Sequence, residues 1–330
     1  MTTHTVKRHA AFRILPTLLR DLLFAGLVLI VFALFHHALP RPKSAILNIV
    51  SLAEPAPQTV TVDSALVEPV PTQAVAEAPV VTAAPGDFSA SFPTEDTGVG
   101  ALYSYQGDAL KIAIRMVQAN DVTYYVADVY VKNISAFKTA FAKQQFGSGI
   151  HQEPLQMASA NNAILALTGD YCNARNQGVV IRNGDLYRDS VNSDVCVLYA
   201  DGVMETYREA DFRVQDAIDR GAWQAWSFGP ALIENGQAIT VFDSSIQRKN
   251  PRNAIGYYAP GHYCFLTVDG RQDGYSIGMT LKELSAVFAD LGCQSAFNLD
   301  GGATAEMIFQ GQLVNKPYHG GRQSGDIIYF

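Results

Sequence analysis

Apolar positions divide the chain into three regimes. From Leu22 to Phe35 almost every side chain is large and apolar and none is charged, and Ile14 to Leu19 extends the stretch beyond Arg20-Asp21. This pattern predicts membrane insertion. The central run falls short of the roughly 20 residues that span a bilayer, and His36, His37, Ala38 and Leu39 complete it at the interface. From Pro40 to about Gly100 the chain is rich in Pro, Ala, Val and Thr, with no basic residue between Lys43 and Lys111. Prolines at 55, 57, 69, 71, 79 and 85 break helix and sheet alike, so an extended spacer is expected. From Lys111 onward the pattern becomes short β-rich runs punctuated by turn dipeptides, beginning with Lys111 to Val117 and Val122 to Val131.

Hairpins are predicted at Asn183-Gly184, Asp201-Gly202 and Asn235-Gly236, whose first residues tolerate a positive φ. Helices are predicted over 136–143, 154–161, 212–220 and 281–291. The last has the clearest signals. Thr280 and Glu283 make a capping box, Leu281, Leu284, Phe288 and Leu291 share one face, and Gly292 ends the run. Apolar runs at Tyr263 to Val268 and Ser295 to Leu299 flank it, which reads as a β-α-β unit. A helical crossover makes such strands parallel, so both finish at one sheet edge. The predicted fold class is α/β in the α+β sense: a mixed, β-rich sheet core with a C-terminal β-α-β unit and several hairpins.

Charge and cysteine usage refine the address. Lys7, Arg8, Arg13 and Arg20 precede the apolar run and only Arg41 and Lys43 closely follow it, which keeps the N-terminus in the cytoplasm. The A-x-A pattern of a cleavage site is poor at Ala38, because His36 stands where a small residue is needed. The expected organisation is therefore a cytoplasmic segment 1–21, a single-pass signal anchor 22–39, a spacer 40–100 and an extracytoplasmic domain 101–330, with a cleavable signal peptide as the alternative to the anchor. A net charge of −7, with no basic run beyond the N-terminus, argues against a nucleic-acid partner. The membrane is expected as a partner through the N-terminal helix, and the sequence sets no oligomeric state. Cys172, Cys196, Cys264 and Cys293 all fall in the exported part, where disulfides can form. Pairing of Cys172 with Cys196 and of Cys264 with Cys293 keeps each bridge within one local unit, and free buried thiols are the alternative. No Cys/His spacing points to zinc.

Candidate chemistry gathers at strand exits. The two strands of the β-α-β unit are followed by Asp269-Gly270-Arg271 and Asp300-Gly301-Gly302, and the run Ala163 to Thr168 ends in Gly169-Asp170. Asp-Gly is also the commonest turn chemistry, so one such turn alone is a strand exit. The paired glycines of Asp300-Gly301-Gly302 add close backbone approach and N–H groups able to face an oxyanion. Arg252 and Arg271 lie just upstream of these turns and suit phosphate, with Arg322 and His319 as further candidates. His151 and His262 lack a partner spacing for a ligand or triad.

From about Ala163 to Phe330 the chain resembles the phosphodiester glycosidases, the family related to the lysosomal enzyme that uncovers mannose 6-phosphate by removing N-acetylglucosamine. Four ordered motifs carry the resemblance. They are Phe228-Gly229-Pro230-Ala231-Leu232 with Asn235-Gly236, Asn250-Pro251-Arg252 with Ile255-Gly256, Val268-Asp269-Gly270-Arg271, and Leu291-Gly292-Cys293 leading to Asn298-Leu299-Asp300-Gly301-Gly302. Arg182-Asn183-Gly184 and the ending Asp326-Ile327-Ile328-Tyr329 are similar to the bacterial branch associated with exopolysaccharide biosynthesis. The chain departs from the family at Thr168-Gly169-Asp170, where Asn-Gly is usual, and at Ala303-Thr304-Ala305-Glu306, where Gly-Ser-Ser-Thr is common.

The resemblance implies hydrolysis at the anomeric carbon of a sugar 1-phosphodiester, with a phosphorylated glycan or cell-surface polymer as partner. In that frame Asp300 and Asp269 are the expected carboxylates, with Glu306 as a third candidate for the catalytic acid. Arg252 and Arg271 form the expected phosphate clamp. Gly301, Gly302, Thr304, Asn298 and Asp170 are expected to shape or bind around it. No cofactor is implied, the alternative task for one carboxylate being to orient the substrate or hold a divalent cation. The competing reading is a non-catalytic module that binds an anionic exopolysaccharide or wall glycan.

Overall fold

The computed structural model describes residues 86–234 and 236–330. The expected cytoplasmic segment, signal anchor and most of the spacer lie outside the described residues, as does Asn235. Among the described residues, no helix is long and apolar enough to cross a membrane.

Three antiparallel sheets, of eight, five and five strands, make up the domain. The largest contains Leu110–Ala119 and Val122–Val131, a long hairpin closed by Asn120 and Asp121, both at positive φ as a two-residue turn needs. Val122–Val131 pairs with His262–Val268, which pairs with Arg252–Ala259, which pairs with Ser295–Asn298. The helix Leu281–Asp290 connects His262–Val268 to Ser295–Asn298 and carries the expected capping box. These two strands run in the same direction, yet they are not neighbours. The antiparallel strand Arg252–Ala259 lies between them, so the crossover spans one intervening strand. Its consequence is chemical: the exits after Val268 and Asn298 and the entry at Arg252 share one sheet edge.

Continuous apolar runs in these strands follow from burial on both faces. Cys264, Leu266 and Val268 face the helix through Leu281, Leu284 and Phe288. Tyr263 and Phe265 point the other way, into a larger core with Phe137, Trp226 and Phe330. A second sheet is built from hairpins, including Gly178–Arg182 with Asp185–Ser190 around Asn183-Gly184, and Val195–Tyr199 with Met204–Tyr207 around Asp201-Gly202. The third sheet brings Leu165–Thr168 between Met307–Phe309 and Asp326–Tyr329.

Three expectations need correction. The helix predicted over 136–143 is instead a short 3-10 turn, Ile134–Ala136, followed by the strand Lys138–Phe141, which pairs with Asp326–Tyr329. Local helix formers there are overridden by pairing with a segment near the far end of the chain. Residues just before 101, expected to lie in the spacer, pack on the domain: Ile134 N–H donates to the Gly86 carbonyl, and Phe88 is buried in the main core. One aromatic residue in a Pro/Ala-rich stretch leaves no periodic signal. Finally, all four cysteines are buried free thiols. Cys264 and Cys293 do face each other, with sulfurs 3.5 Å apart, whereas Cys172 and Cys196 make no sulfur contact: they sit in separate surroundings, Cys172 beside Asp170 and Asp326, Cys196 in the main core.

Candidate active site

The Asp300-Gly301-Gly302 turn is held from two sides by backbone. Asp300 N–H donates to the Gly169 carbonyl at 3.0 Å and Gly302 N–H to the Pro251 carbonyl at 3.0 Å. Gly301 lies so close to this neighbour that a Cβ would stand 2.5 Å from Pro251 O, so only glycine fits. Gly302 adopts φ +67°, the left-handed region that favours glycine. The turn thus stitches together three chain segments that are distant in sequence.

Around it opens a cleft of about 240 Å³ lined by Phe228, Asn250, Arg252, Arg271, Asp300 and Arg322, with Gly301, Gly302 and Ala303 as its floor. Asp300 is the only carboxylate among the lining residues and faces three arginines. Its Oδ1 accepts from Gly301 N–H at 2.9 Å, its Oδ2 from the Thr304 hydroxyl at 2.7 Å, and the Arg322 guanidinium stands 3.8 Å from Oδ2. Burial raises its pKa to about 6, against the pull of the Thr304 hydroxyl, Arg322, the Gly301 N–H and Arg175. Arg271 donates to the neutral Oδ1 of Asn250 at 2.7 Å and has no carboxylate partner among the described residues. It is free to meet an anion.

Thr304 reaches Asp300 rather than the cleft. It is fully buried, and its hydroxyl also lies 2.7 Å from the Gly301 carbonyl. A buried polar chain stands behind it: Thr267 donates to Asn253 (2.7 Å), Asn253 to the Thr168 hydroxyl (2.5 Å), and Thr168 to the Thr304 carbonyl (2.6 Å). Thr168, a departure from the family pattern, therefore has a task in fixing the residue that orients Asp300.

Other expected site residues are placed elsewhere. Asp269 is fully buried and outside the cleft lining, where its carboxylate accepts from Tyr275 OH and Asn315 Nδ2, both at 2.8 Å, and from Lys316 N–H at 3.1 Å. It braces the 269–276 loop against the segment before Tyr318, and burial raises its pKa despite those donors. The expected pairing of Asp269 with Asp300 in one cleft is not what the fold builds. Glu306, also outside the lining, is buried and accepts from Arg322 N–H at 3.1 Å, and burial raises its pKa to about 7. Asp170 is turned away into an ion pair with Arg182 (2.8 Å) and a bond from Ser227 N–H (2.9 Å). Asn298 is fully buried and donates to the Gly229 carbonyl at 2.8 Å, holding the loop that carries Phe228. Arg252 does line the cleft, but its guanidinium staples the carbonyls of Ile246, Arg248 and Met279, and burial together with Arg271 lowers its pKa to about 10. These residues position the site from behind.

Sequence reasoning ranked Arg322 low and gave Arg175 no role. Arg175 lies over the Phe228 ring at 4.7 Å, donates to Ser227 O at 3.3 Å, and has no carboxylate partner among the described residues. It sits in an irregular stretch with no periodic or paired-charge signal. His151 contacts Asn173 and His262 contacts Asp128, and none of the described histidines lines the cleft. Among the described residues, one grouping has metal-ligand spacing, Asp170 with Cys172 and Asp326. The Arg182 guanidinium already binds both carboxylates at 2.8 and 2.9 Å, so this donor set fits an ion pair and not a cation.

Fold and cleft together define a β-rich domain that can hold an anionic ligand against one buried carboxylate. A family model described as phosphodiester glycosidase matches residues 161–330, and the chain belongs to that family. The SPbeta prophage-derived uncharacterized protein YomE of Bacillus subtilis (strain 168) is 28% identical over 218 residues, 59% of this chain. The chain spans 34% of the length of that relative. Among solved structures, the zebrafish N-acetylglucosamine-1-phosphodiester alpha-N-acetylglucosaminidase catalytic domain, auto-inhibited by its pro-peptide, is similar with a TM-score of 0.55. Its identity is 18%, covering 68% of this chain and 84% of that one. A hypothetical protein from Synechocystis has a TM-score of 0.55 at 14% identity, covering 67% and 62%. At these identities both likenesses concern the fold.

Proposed function

We propose that the protein is an extracytoplasmic hydrolase that cleaves a sugar 1-phosphodiester within a cell-surface polysaccharide or wall polymer. The observation that carries this reading is the meeting, in one cleft, of a single carboxylate of raised pKa with Arg322 beside it and with Arg271, which has no carboxylate partner among the described residues. Family membership supplies the reaction class, and the apolar run at 22–39 with its flanking basic residues supports the location.

In this reading Asp300 is the base. It takes a proton from water as the water oxygen bonds to the anomeric carbon, while the bond from that carbon to the phosphate oxygen breaks and its electron pair leaves on the phosphomonoester. Arg271 and Arg322 neutralise the charge that develops on the phosphate. A phosphate is already a good leaving group, so the absence of a second carboxylate from the lining is no obstacle. A pKa of about 6 leaves most Asp300 ionised at neutral pH while making it a stronger base than an ordinary aspartate.

The test is release of reducing sugar and phosphomonoester from a panel of hexose and N-acetylhexosamine 1-phosphodiesters. Turnover by the parent that falls by at least about 10²-fold in Asp300→Asn is expected. Saturable glycan binding without product, even after long incubation, would replace the enzyme with a binding module.

A further inference from the structure

Residues 317–322 fold into a tight bend. His319, Gly320 and Gly321 have φ of +56°, +80° and +99°, and the N–H groups of Gly320 and Gly321 donate to the carbonyls of Pro317 and Tyr318. The Glu306 carboxyl group packs against this bend. Its Oε1 accepts from Arg322 N–H at 3.1 Å, and a Cβ at Gly321 would overlap the same oxygen. We infer that Glu306 is a positioning residue for the proposed reaction: its carboxyl oxygen fixes the backbone of Arg322 so that the guanidinium stands beside Asp300. The inference rests on the reading of Asp300 as the base and gives a task to a residue outside the cleft lining, one of this chain's departures from the family pattern.

Glu306 is an acid held at 5% exposure, and burial and the charge of Glu153 both disfavour its ionised form. A buried acid of this kind works against stability, and such local conflicts gather where a site needs them. What Glu306 supplies is an acceptor for Arg322 N–H. Removing it would leave that donor without its partner and the bend, with three left-handed residues in succession, without its anchor.

The framework that carries Glu306 is itself clamped. Asn315 Nδ2 donates to the Ala305 carbonyl at 2.8 Å and Asn315 Oδ1 accepts from Met307 N–H at 2.9 Å, which holds the backbone on both sides of Glu306. Asn315 is held in turn by the buried Asp269 at 2.8 Å. The 300–306 segment therefore controls both members of the pair in the cleft. Thr304 orients the Asp300 carboxylate near one end, and Glu306 sets Arg322 at the other. The Arg322 guanidinium lies 5.6 Å from the centre of the Tyr171 ring and 3.8 Å from Asp300 Oδ2. Its side chain is 51% exposed, so few packing contacts restrain it and the placement of its backbone decides where it can reach.

Two variants of the full chain separate the acceptor from mere bulk: Glu306→Gln keeps an acceptor oxygen, and Glu306→Ala removes it. The first readout is the Asp300 carboxyl carbon, followed by NMR through a pH titration. Arg322 favours the ionised form of Asp300, so the midpoint should rise by at least about 0.5 in Glu306→Ala and should not rise in Glu306→Gln. In an Arg322→Met background Glu306→Ala should raise it no further, because the arginine that Glu306 positions is already gone. The second readout is hydrogen exchange at the Arg322 amide, which should quicken at least about tenfold in Glu306→Ala and hold near the parent rate in Glu306→Gln. On a sugar 1-phosphodiester that the parent turns over, Glu306→Ala should lower kcat/KM at least about tenfold, and Glu306→Gln should stay within about threefold of the parent. An Asp300 midpoint shared by the parent and Glu306→Ala, or a Gln variant as defective as the Ala variant, would overturn the positioning role. So would an Arg322 amide that exchanges in the parent as fast as an open loop, a result that needs no variant to fold. Titration and exchange as expected, with no turnover of any substrate by the parent, would leave the Glu306–Arg322–Asp300 arrangement standing and remove the reaction.

Discussion

Asp300 is stable only at some cost, because a carboxylate that is ionised in water is held where burial disfavours its charge. Its pKa stands at about 6, above the ordinary 3.8. A base must be ionised, so kcat/KM should rise with pH through about 6 and level off above it, measured on any substrate the parent turns over. Stability should move the opposite way. Between the unfolded value near 4 and the folded value near 6 the native state binds more protons than the unfolded chain, so stability falls as pH rises across that window. Asp300→Asn keeps the shape and removes the charge. It should abolish activity yet raise the melting temperature at pH 8, by an amount corresponding to ~1–3 kcal/mol, with the gain vanishing at pH 4. Thermal melts of the two proteins at both pH values check this.

Thr304 acts through Asp300, since its hydroxyl stabilises the ionised form. Thr304→Val should therefore shift the acid limb of the pH–rate profile upward and lower kcat/KM at pH 6 more than at pH 8. A merely structural role would lower both alike. The sequence named Asp300, Gly301, Gly302 and Thr304 because they are adjacent along one strand exit. It could not tell which face Asp269, Asp170 or Asn298 presents, since the direction of a side chain after a strand depends on the loop that follows. Asp269 and Asp300 follow equivalent strands, yet one meets the cleft and the other meets Tyr275 and Asn315.

Elements fix where the turn can sit. Gly301 is in contact with the Pro251 carbonyl, a backbone atom that cannot rotate away, so Gly301→Ala must displace one strand exit relative to the other. A displacement approaching 1 Å at the reacting centre costs about 10²-fold in rate. That loss is expected with an unchanged far-ultraviolet circular dichroism spectrum. A second glycine tests the packing of the crossover helix. A Cβ at Gly256 would lie 2.7 to 2.8 Å from Cys264 Sγ, Phe288 and Cys293 Sγ. Gly256→Ala should destabilise the domain by about 1–3 kcal/mol through overpacking, read from chemical denaturation.

The helix Leu281–Asp290 was legible because its signals are local: a cap, a repeating apolar face and a terminating glycine. The strand Lys138–Phe141 was not, because its partner Asp326–Tyr329 lies nearly two hundred positions away and its own residues also suit a helix. The place of Arg252–Ala259 escaped for another reason: its pairing with the next strand, His262–Val268, is local, but its second pairing, with Ser295–Asn298, forms only after the crossover helix returns the chain. Nothing between a strand and its crossover helix announces that a third strand will slip between the pair.

For the whole molecule, the described domain begins at Gly86, and Phe88 ties that beginning into the main core. The Phe88 side chain packs against Gly202 and Gly261, where a Cβ would stand 2.4 and 2.7 Å from it. Phe88→Ala should cost about 3–5 kcal/mol. A chain starting at residue 101 should melt well below one starting at residue 86, and calorimetry on the two chains checks this.

The sequence by itself determined a β-rich domain with one secure crossover helix, its family, and the turn where chemistry would gather. These were readable because capping, periodicity and turn chemistry act between residues close in the chain, and because motif order is itself linear. Only tertiary structure decided which carboxylate faces the cleft, that Arg322 joins it while Arg175 lies over the Phe228 ring at its border, and that Thr168 and Asn253 stand behind Thr304. Those outcomes depend on contacts between segments as far apart as Thr168 and Thr304, and no local pattern encodes which way a buried side chain turns when several strands close around it.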